Sequence, residues 1–141
     1  MNKWSYAKEK LLSEGYTCVL CSGSTVYTSA LRGVKPLVQW LKNGTDVKGF
    51  YAADKVVGKA TAFLYVLLGV QAVYAHVISR PALAVLKENG IEVQYGTLVE
   101  NIINRKGDGI CPFEEAVIKI SDAHEAYPAI LRKMKEMNIE L

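Results

Sequence analysis

The sequence contains few of the residues from which disulfide frameworks and metal centres are built. Its 141 residues include three cysteines and two histidines. An odd, small number of cysteines does not fit a disulfide-linked secreted domain, so we expect reduced thiols and a cytoplasmic protein. The first residues show no apolar signal segment, and there is no internal repeat or low-complexity stretch.

The chain also carries little excess charge of either sign. The net charge is +3, and no stretch combines clustered basic residues with aromatic ones. Proteins that bind nucleic acids usually carry such a stripe, so a nucleic-acid partner is not expected. Half of the residues are hydrophobic and 22% are charged, which is typical of a globular domain. The length fits one domain over residues 1–141.

One apolar run invites comparison with a membrane-spanning helix. Residues 60–78 are almost wholly apolar, but Gly69, Gln71 and His76 interrupt them. Gly69 is typical of a helix end, and residues 70–78 are rich in β-branched side chains. The run therefore predicts a buried helix followed by a buried strand, and no membrane partner.

The order of the predicted elements indicates an α/β fold. Strands are predicted over residues 17–21, 24–28, 47–53, 70–78 and 91–99. Helices are predicted over residues 2–14, 34–42, 54–68, 81–88, 112–120 and 127–137. The first two strands form a hairpin, and the later strands alternate with helices and should therefore be parallel. We expect a three-layer α-β-α fold of the cytidine-deaminase-like kind, in which a mixed five-stranded sheet is the middle layer.

Two segments carry a resemblance to a known family. They are residues 53–60 (ADKVVGKA) and residues 109–114 (GICPFE). Together with the element order, they resemble a small uncharacterised microbial family, known as a domain of unknown function, within the cytidine-deaminase-like superfamily. The resemblance implies the deaminase-like fold and a site at the N-termini of its central helices.

The zinc ligands of catalytic deaminases are missing from the corresponding segments. Those enzymes place His-x-Glu or Cys-x-Glu on one helix and Pro-Cys-x-x-Cys on the next. Here the segments read DKV at residues 54–56 and SRPA at residues 79–82. Cys18 and Cys21 cannot replace the ligands, because a separation of three on a strand directs them to opposite faces. We expect no metal and no other cofactor.

The segment at residues 54–59 predicts a site for an anion. Lys55 and Lys59 would lie one turn apart at a helix N-terminus, which itself carries partial positive charge. Such lysines need an anionic partner, which Asp54, Glu114 or a bound phosphate or carboxylate could provide. Gly58 would allow a ligand or a backbone to approach closely. In the alternative interpretation, Asp54 is an N-cap and Lys55 is solvated.

Two further helix starts contain candidate residues. Cys111 and Glu114 occupy the N-cap and N3 positions of a predicted helix, where Glu114 can close a capping box. Cysteine is not a preferred cap, so Cys111 is either a candidate nucleophile or a small inert residue. Ser79 and Arg80 follow a strand and are candidate phosphate contacts, with an N-cap role as the alternative for Ser79.

The sequence therefore predicts a zinc-free deaminase-like domain that binds a small anionic, nucleotide-like molecule. The candidate catalytic residues are Lys59, Cys111 and Asp54. The candidate ligand-binding residues are Lys55, Gly58, Ser79, Arg80 and Glu114. The alternative function is a non-catalytic regulatory or protein-interaction module, and small domains of this kind often form homo-oligomers.

Overall fold

The computed structural model describes residues 3–31, 33–104 and 106–141, with side chains from residue 5 onward. Its strands are β1 (Cys18–Ser22), β2 (Thr25–Ser29), β3 (Tyr51–Val57), β4 (Ala72–Ser79) and β5 (Glu92–Val99). Its helices are α1 (Lys3–Glu14), α2 (Lys35–Lys42), α3 (Lys59–Leu68), α4 (Arg80–Glu88), α5 (Pro112–Ala116) and α6 (Ala123–Glu136). Asn2, the first residue of the predicted N-terminal helix, lies outside the described residues.

The five strands form one mixed sheet in the order β2-β1-β3-β4-β5. Strand β1 is antiparallel to both β2 and β3, whereas β3, β4 and β5 are parallel. The turn between β1 and β2 contains Gly23 with φ of 59°, a conformation that glycine adopts without strain. The predicted mixed five-stranded sheet, with a hairpin at one side, is confirmed.

Helices cover both faces of the sheet, which gives the predicted three layers. Helix α1 packs on one face, where Cys21 contributes to a small cluster with Ala7 and Leu11. The main core lies between the other face and the remaining helices, and it contains Cys18. Cys18 and Cys21 therefore point to opposite faces, as predicted, and cannot bind one metal ion together.

Helix α3 is the central helix of the main core. It packs against α2, α4, α5 and α6, and its residues from Ala60 to Tyr65 are all buried. It ends at Gly69, which adopts the left-handed conformation with φ of 76°. No helix in the described parts of the chain is long and apolar enough to cross a bilayer.

The predicted boundary between β3 and α3 is wrong. Residues 54–57 continue β3, because Val56 and Val57 pair in register with Val77 and Ile78 of β4. Helix α3 begins only at Lys59, with Gly58 at its N-cap. The β-branched pair and the ladder to β4 thus outweigh the capping tendency of Asp54. Asp54 and Lys55 lie on a strand, and Lys55 does not share a helix face with Lys59.

The two C-terminal helices also differ from the prediction. Helix α5 ends at Ala116, and α6 begins four residues earlier than predicted. Asp122 caps α6 by accepting a hydrogen bond of 2.9 Å from the backbone N–H of His124. Proline is favoured in the first turn of a helix, but Pro128 lies further along, inside α6.

Strands β4 and β5 approach each other closely at Gly96. A Cβ atom added to Gly96 would lie 2.8 Å from the backbone carbonyl oxygen of His76 on β4. A backbone oxygen cannot move away as a flexible side chain can. Only glycine therefore fits at this point of β5 without shifting the strand pair.

Replacing Gly96 with alanine should destabilise the sheet. We expect Gly96→Ala to lower the free energy of unfolding by about 1–3 kcal/mol, because the new methyl group overpacks against the backbone. Urea unfolding at equilibrium measures this change. Gly109→Ala is the control, since its added Cβ would come no closer than 3.6 Å to Asn104. Equal losses of stability in the two variants would contradict the steric explanation.

Candidate functional site

A small cavity lies where the N-terminus of α3 meets the segment that leads into α5. Its volume is about 90 Å³. Most of its wall is apolar, and the lining residues with polar side chains are Thr61, Cys111 and Glu114. The lining residues are Gly33, Val34, Val56, Gly58, Ala60, Thr61, Ile102, Cys111, Phe113 and Glu114.

The carboxylate of Glu114 caps helix α3 from a distant part of the chain. Its Oε2 accepts a hydrogen bond of 2.9 Å from the backbone N–H of Lys59, 55 residues away in sequence. Gly58, the N-cap residue of α3, has no side chain that could do so. Glu114 does not close the predicted capping box on α5, because the backbone N–H of Cys111 donates to the backbone oxygen of Ile102 instead.

Gly58 allows this carboxylate to approach. A Cβ atom added to Gly58 would lie 2.9 Å from Oε1 of Glu114 and 3.2 Å from Cγ1 of Ile102. The predicted close approach at Gly58 thus occurs, and the approaching group is the side chain of Glu114. Any larger residue at position 58 would push that carboxylate away from the end of α3.

The second oxygen of Glu114 is left without a partner. Glu114 is 5% exposed, and its Oε1 is buried with no hydrogen bond among the described residues. An unpaired buried acceptor costs about 1–3 kcal/mol, and more when it is charged. A buried acceptor of this kind calls for an explanation, and a donor from an ordered water, an ion or a bound molecule would provide one.

The side chain of Lys59 does not act as the predicted buried cation. It is half-buried, and its Nζ donates a hydrogen bond of 3.2 Å to the backbone oxygen of Ile118. The same Nζ lies 5.7 Å from the centre of the Phe63 ring. Lys55 is exposed on β3. The predicted pair of lysines is therefore separated, and the backbone of Lys59 rather than its amine lies in the site.

Ser79 and Arg80 lie at the start of α4 and do not line the cavity. Ser79 is buried, and its Oγ accepts a hydrogen bond of 3.3 Å from the backbone N–H of Ala82. The N-cap interpretation of Ser79 is confirmed. Arg80 is exposed, and its Nε lies 2.6 Å from Oε1 of Glu100. Its positive charge is already paired with a carboxylate at the surface.

Asp54 belongs to a second buried polar group beneath α3. It is 7% exposed, and its Oδ2 accepts a hydrogen bond of 2.6 Å from the hydroxyl of Tyr65. The Tyr65 oxygen lies 3.0 Å from the sulfur of Cys18, which is the register partner of Asp54 across β1 and β3. Since the Tyr65 hydrogen is donated to Asp54, the Cys18 thiol is the natural donor to Tyr65.

Burial is the largest influence on the pKa values of Asp54, Cys18 and Tyr65. It raises the pKa of Asp54 to about 7, although the hydrogen bonds from Tyr65 and from the Val56 N–H oppose the rise. Burial also raises the pKa of the Cys18 thiol and of the Tyr65 hydroxyl well above their ordinary values, and the Asp54 charge adds to both. Tyr65 was not among the predicted site residues, although a hydroxyl inside an otherwise apolar helix indicates a buried partner.

The residues present do not fit a zinc centre of the deaminase type. The helix after β3 opens with Gly58 and Lys59, and the helix after β4 opens with Ser79 and Arg80. Neither pair contains a side chain that zinc prefers. Within the described ranges, no three His, Cys, Asp or Glu side chains lie close enough to hold one metal ion.

Comparison with known proteins places the chain in a family. The model of the TM1506 family, a domain of unknown function designated DUF1893, matches residues 6–134. The chain belongs to the DUF1893 family. The family part of the predicted resemblance is thereby confirmed. No curated protein matches the sequence of this DUF1893 chain.

Two solved structures resemble the DUF1893 chain to very different degrees. A crystal structure of a DUF1893 family protein (TM1506) from Thermotoga maritima is 29% identical over 89% of this chain and 85% of that chain, with a TM-score of 0.82. A diaminohydroxyphosphoribosylaminopyrimidine deaminase/5-amino-6-(5-phosphoribosylamino)uracil reductase from the same organism is 12% identical. This second match covers 82% of this chain and 40% of the other, with a TM-score of 0.45.

Removing the carboxylate of Glu114 should loosen α3, whereas replacing it with an amide should not. We expect Glu114→Ala to lower the free energy of unfolding by about 0.5–2 kcal/mol, since the Lys59 N–H loses its cap. In Glu114→Gln, the amide oxygen still accepts from that N–H. Thermal and urea unfolding of both variants measure the difference. A Gln variant as unstable as the Ala variant would contradict the capping role.

Asp54 should make the stability depend on pH. Because the pKa rises from the ordinary 3.8 to about 7 on folding, the folded state holds a proton that the unfolded state has lost. This stabilisation is complete below pH 3.8 and is lost as pH rises towards 7, with a slope of up to about 1.4 kcal/mol per pH unit.

Urea unfolding between pH 4 and pH 8 tests this slope. Asp54→Asn should remove the part of the slope that Asp54 contributes, because the amide still accepts the Tyr65 hydrogen bond but does not titrate. Asp46→Asn, which removes an exposed carboxyl, is the matched control. Identical slopes in the wild type and in Asp54→Asn would contradict the protonation of Asp54 in the folded state.

Proposed function

We propose that this DUF1893 chain is a zinc-free, deaminase-like protein that binds a small molecule in the cavity between α3 and α5. The observation that carries the proposal is the orphaned Oε1 of Glu114 in a residue that lines the cavity. A bound donor would complete the hydrogen bonding of this carboxylate. The same carboxylate keeps α3 capped, so ligand binding and the position of α3 are linked.

The relation to the deaminase-like superfamily is part of this proposal. It is supported by the sheet order, in which an antiparallel hairpin adjoins three parallel strands with helices between them. It is also supported by the location of the cavity, which adjoins the N-terminus of the helix after β3. In open α/β sheets, ligands bind at this end of the strands.

The chemistry of the cavity favours a ligand with N–H donors on the part that enters it. The N-terminus of α3, where an anion was predicted, is already neutralised by the Glu114 carboxylate. The carboxylate is an acceptor only, so it repels a phosphate and attracts an amino or amidine group. An apolar cavity of about 150 Å³ holds benzene, so one of about 90 Å³ accepts only the edge of a larger molecule.

A nucleotide-like ligand fits these requirements when its base edge points inward and its anionic group outward. The exocyclic amino group of a base would meet Glu114, and the phosphate would remain in solvent. Lys59 follows the lining residue Gly58, and its half-buried amine is held by a single backbone oxygen. That amine is the candidate contact for the anionic group, because the backbone of Lys59 bonds to Glu114, while Cys111 and Thr61 offer further polar contacts inside the cavity.

A thermal-shift screen with cytosine and guanine nucleosides, their nucleotides, phosphosugars and dicarboxylates tests the proposal. A ligand that binds only the folded state stabilises it by about 2.7 kcal/mol at a concentration of about 100 Kd. We expect amino-bearing nucleosides or nucleotides to raise Tm and phosphosugars and dicarboxylates not to do so. Glu114→Gln should abolish the shift, because it presents an amide donor where the ligand needs an acceptor.

The variant Lys59→Met tests recognition of the anionic group separately from recognition of the base. It should weaken the shift by a nucleotide and leave the shift by the corresponding nucleoside unchanged, because only the nucleotide carries an anionic group. Stabilisation that survives in Glu114→Gln would contradict the role of the carboxylate. A screen in which none of the four compound classes raises Tm would favour the second function, an interaction module. That function is supported separately by β5, an edge strand of eight residues most of which are exposed.

A further inference from the structure

The hydroxyl of Thr61 is a second polar group at the cavity that lacks a partner. Thr61 lies in the first turn of α3 and lines the cavity together with Glu114. It is 7% exposed, and its hydroxyl makes no hydrogen bond within the described residues. Threonines in helices commonly bond to the carbonyl oxygen three or four residues earlier, which here would belong to Gly58 or Val57. Since that partner is not used, the cavity is where a partner for this hydroxyl can enter.

The unpartnered oxygen of Glu114 borders the open space beside Gly58. A Cβ atom at Gly58 would lie 2.9 Å from Oε1 of Glu114 and 3.2 Å from Cγ1 of Ile102. All three residues line the cavity. The side chain that Gly58 lacks therefore leaves space directly in front of an oxygen that has no hydrogen bond within the described residues.

These two polar groups line the same small cavity but do not satisfy each other. The Thr61 hydroxyl does not donate to Oε1 of Glu114, although both residues line a cavity of about 90 Å³. A hydroxyl carries one hydrogen to donate, whereas an ionised carboxylate only accepts. The cavity therefore offers an unused donor in Thr61 and an unused acceptor in Glu114. One bound group that combines a donor with a neighbouring acceptor would satisfy both residues.

We propose that Thr61 is a specificity-determining residue of the cavity, and that the ligand is a nitrogen heterocycle whose amino group adjoins an unprotonated ring nitrogen. This inference rests on the proposed function and names the class of base that enters the cavity. The amino group would donate to Oε1 of Glu114, and the ring nitrogen would accept the hydrogen of the Thr61 hydroxyl. The base of cytidine has this arrangement of donor and acceptor.

Ligands that carry only donors or only acceptors match the two residues less well. An alkylammonium or guanidinium ion would pair with Glu114 but would leave the Thr61 hydrogen without an acceptor. A phosphate or a carboxylate would accept from Thr61 but would be repelled by the charge of Glu114. The rest of the wall includes Phe113 and Ile102, and such apolar side chains suit the faces of a flat ring. A heterocycle with its polar atoms on one edge meets both conditions.

Calorimetric titration with cytidine and 3-deazacytidine tests the role of Thr61. The second compound keeps the amino group but has a C–H group in place of the ring nitrogen. We expect the wild type to bind cytidine about tenfold more tightly than 3-deazacytidine, and Thr61→Val to lose this preference by weakening cytidine binding alone. Thr61→Ser keeps the hydroxyl and should keep the preference. Thr97→Val, which removes an exposed hydroxyl from β5, is the matched control and should bind as the wild type does.

Thermal unfolding of Thr61→Val separates a binding role from a structural one. Its Tm should be no lower than that of the wild type, because the hydroxyl that it removes has no partner in the fold. A lower Tm would assign the hydroxyl to stability and overturn the inference.

The binding data distinguish failure of this inference from failure of the proposed function. Unchanged cytidine binding in Thr61→Val, or equal weakening of both compounds, would overturn the inference alone, provided that Glu114→Gln still abolishes binding. A wild type that binds guanosine but not cytidine would also overturn the inference alone. A wild type that binds no amino-bearing nucleoside would overturn the inference and the proposed function together.

Discussion

The position of helix α3 depends on a hydrogen bond that its own sequence cannot supply. Because α3 is surrounded by four other helices, the backbone N–H groups at its N-terminus need partners within the protein. Gly58 at the N-cap has no side chain, and Glu114 supplies the missing acceptor from the start of α5. This bond connects α3 to α5 and shapes the wall of the cavity. Gly58 and Glu114 therefore act as a pair.

The buried polar side chains differ in whether their hydrogen bonding is complete. Asp54, Tyr65 and Cys18 form a chain of hydrogen bonds in which each group has a partner. Glu114 has one oxygen bonded and one oxygen without a partner. A satisfied buried network makes the packing of α3 on the sheet specific, whereas the unsatisfied oxygen of Glu114 remains an acceptor for a further donor. Tyr65 lies in the second half of α3, whereas Glu114 bonds to the first residue of the helix, so the two groups act at different points along α3.

The two edge strands of the sheet also differ in length and exposure. The hairpin end terminates in a short strand whose Tyr27 packs against Trp40 and Phe50. The parallel end terminates in β5, which is long, uncharged in its middle and exposed. A parallel sheet is normally buried on both faces, so an exposed edge strand in such a sheet is unusual for an isolated domain.

Local patterns in the sequence determined most of the elements. The glycine at position 69, the alternation of strands and helices, and the apolar residues of α3 were sufficient to predict the mixed sheet and the buried central helix. The opposite directions of Cys18 and Cys21 followed from the period of a strand. Ser79 was recognisable as an N-cap because the hydrogen bond of a cap joins residues that are close in sequence.

Only the tertiary structure decided which side chains form the site and how they bond. The sequence placed the start of α3 at Asp54, but pairing of Val56 and Val57 with β4 extends the strand to the last residue before Gly58. That shift buries Asp54, exposes Lys55 and removes the predicted pair of lysines. The bond between Glu114 and Lys59 joins residues 55 positions apart, and no local pattern encodes it. Contacts between distant segments depend on how the layers pack. The sequence therefore predicted Gly58, Cys111 and Glu114 as residues of one pocket, which they line, but not the bond that joins Glu114 to α3.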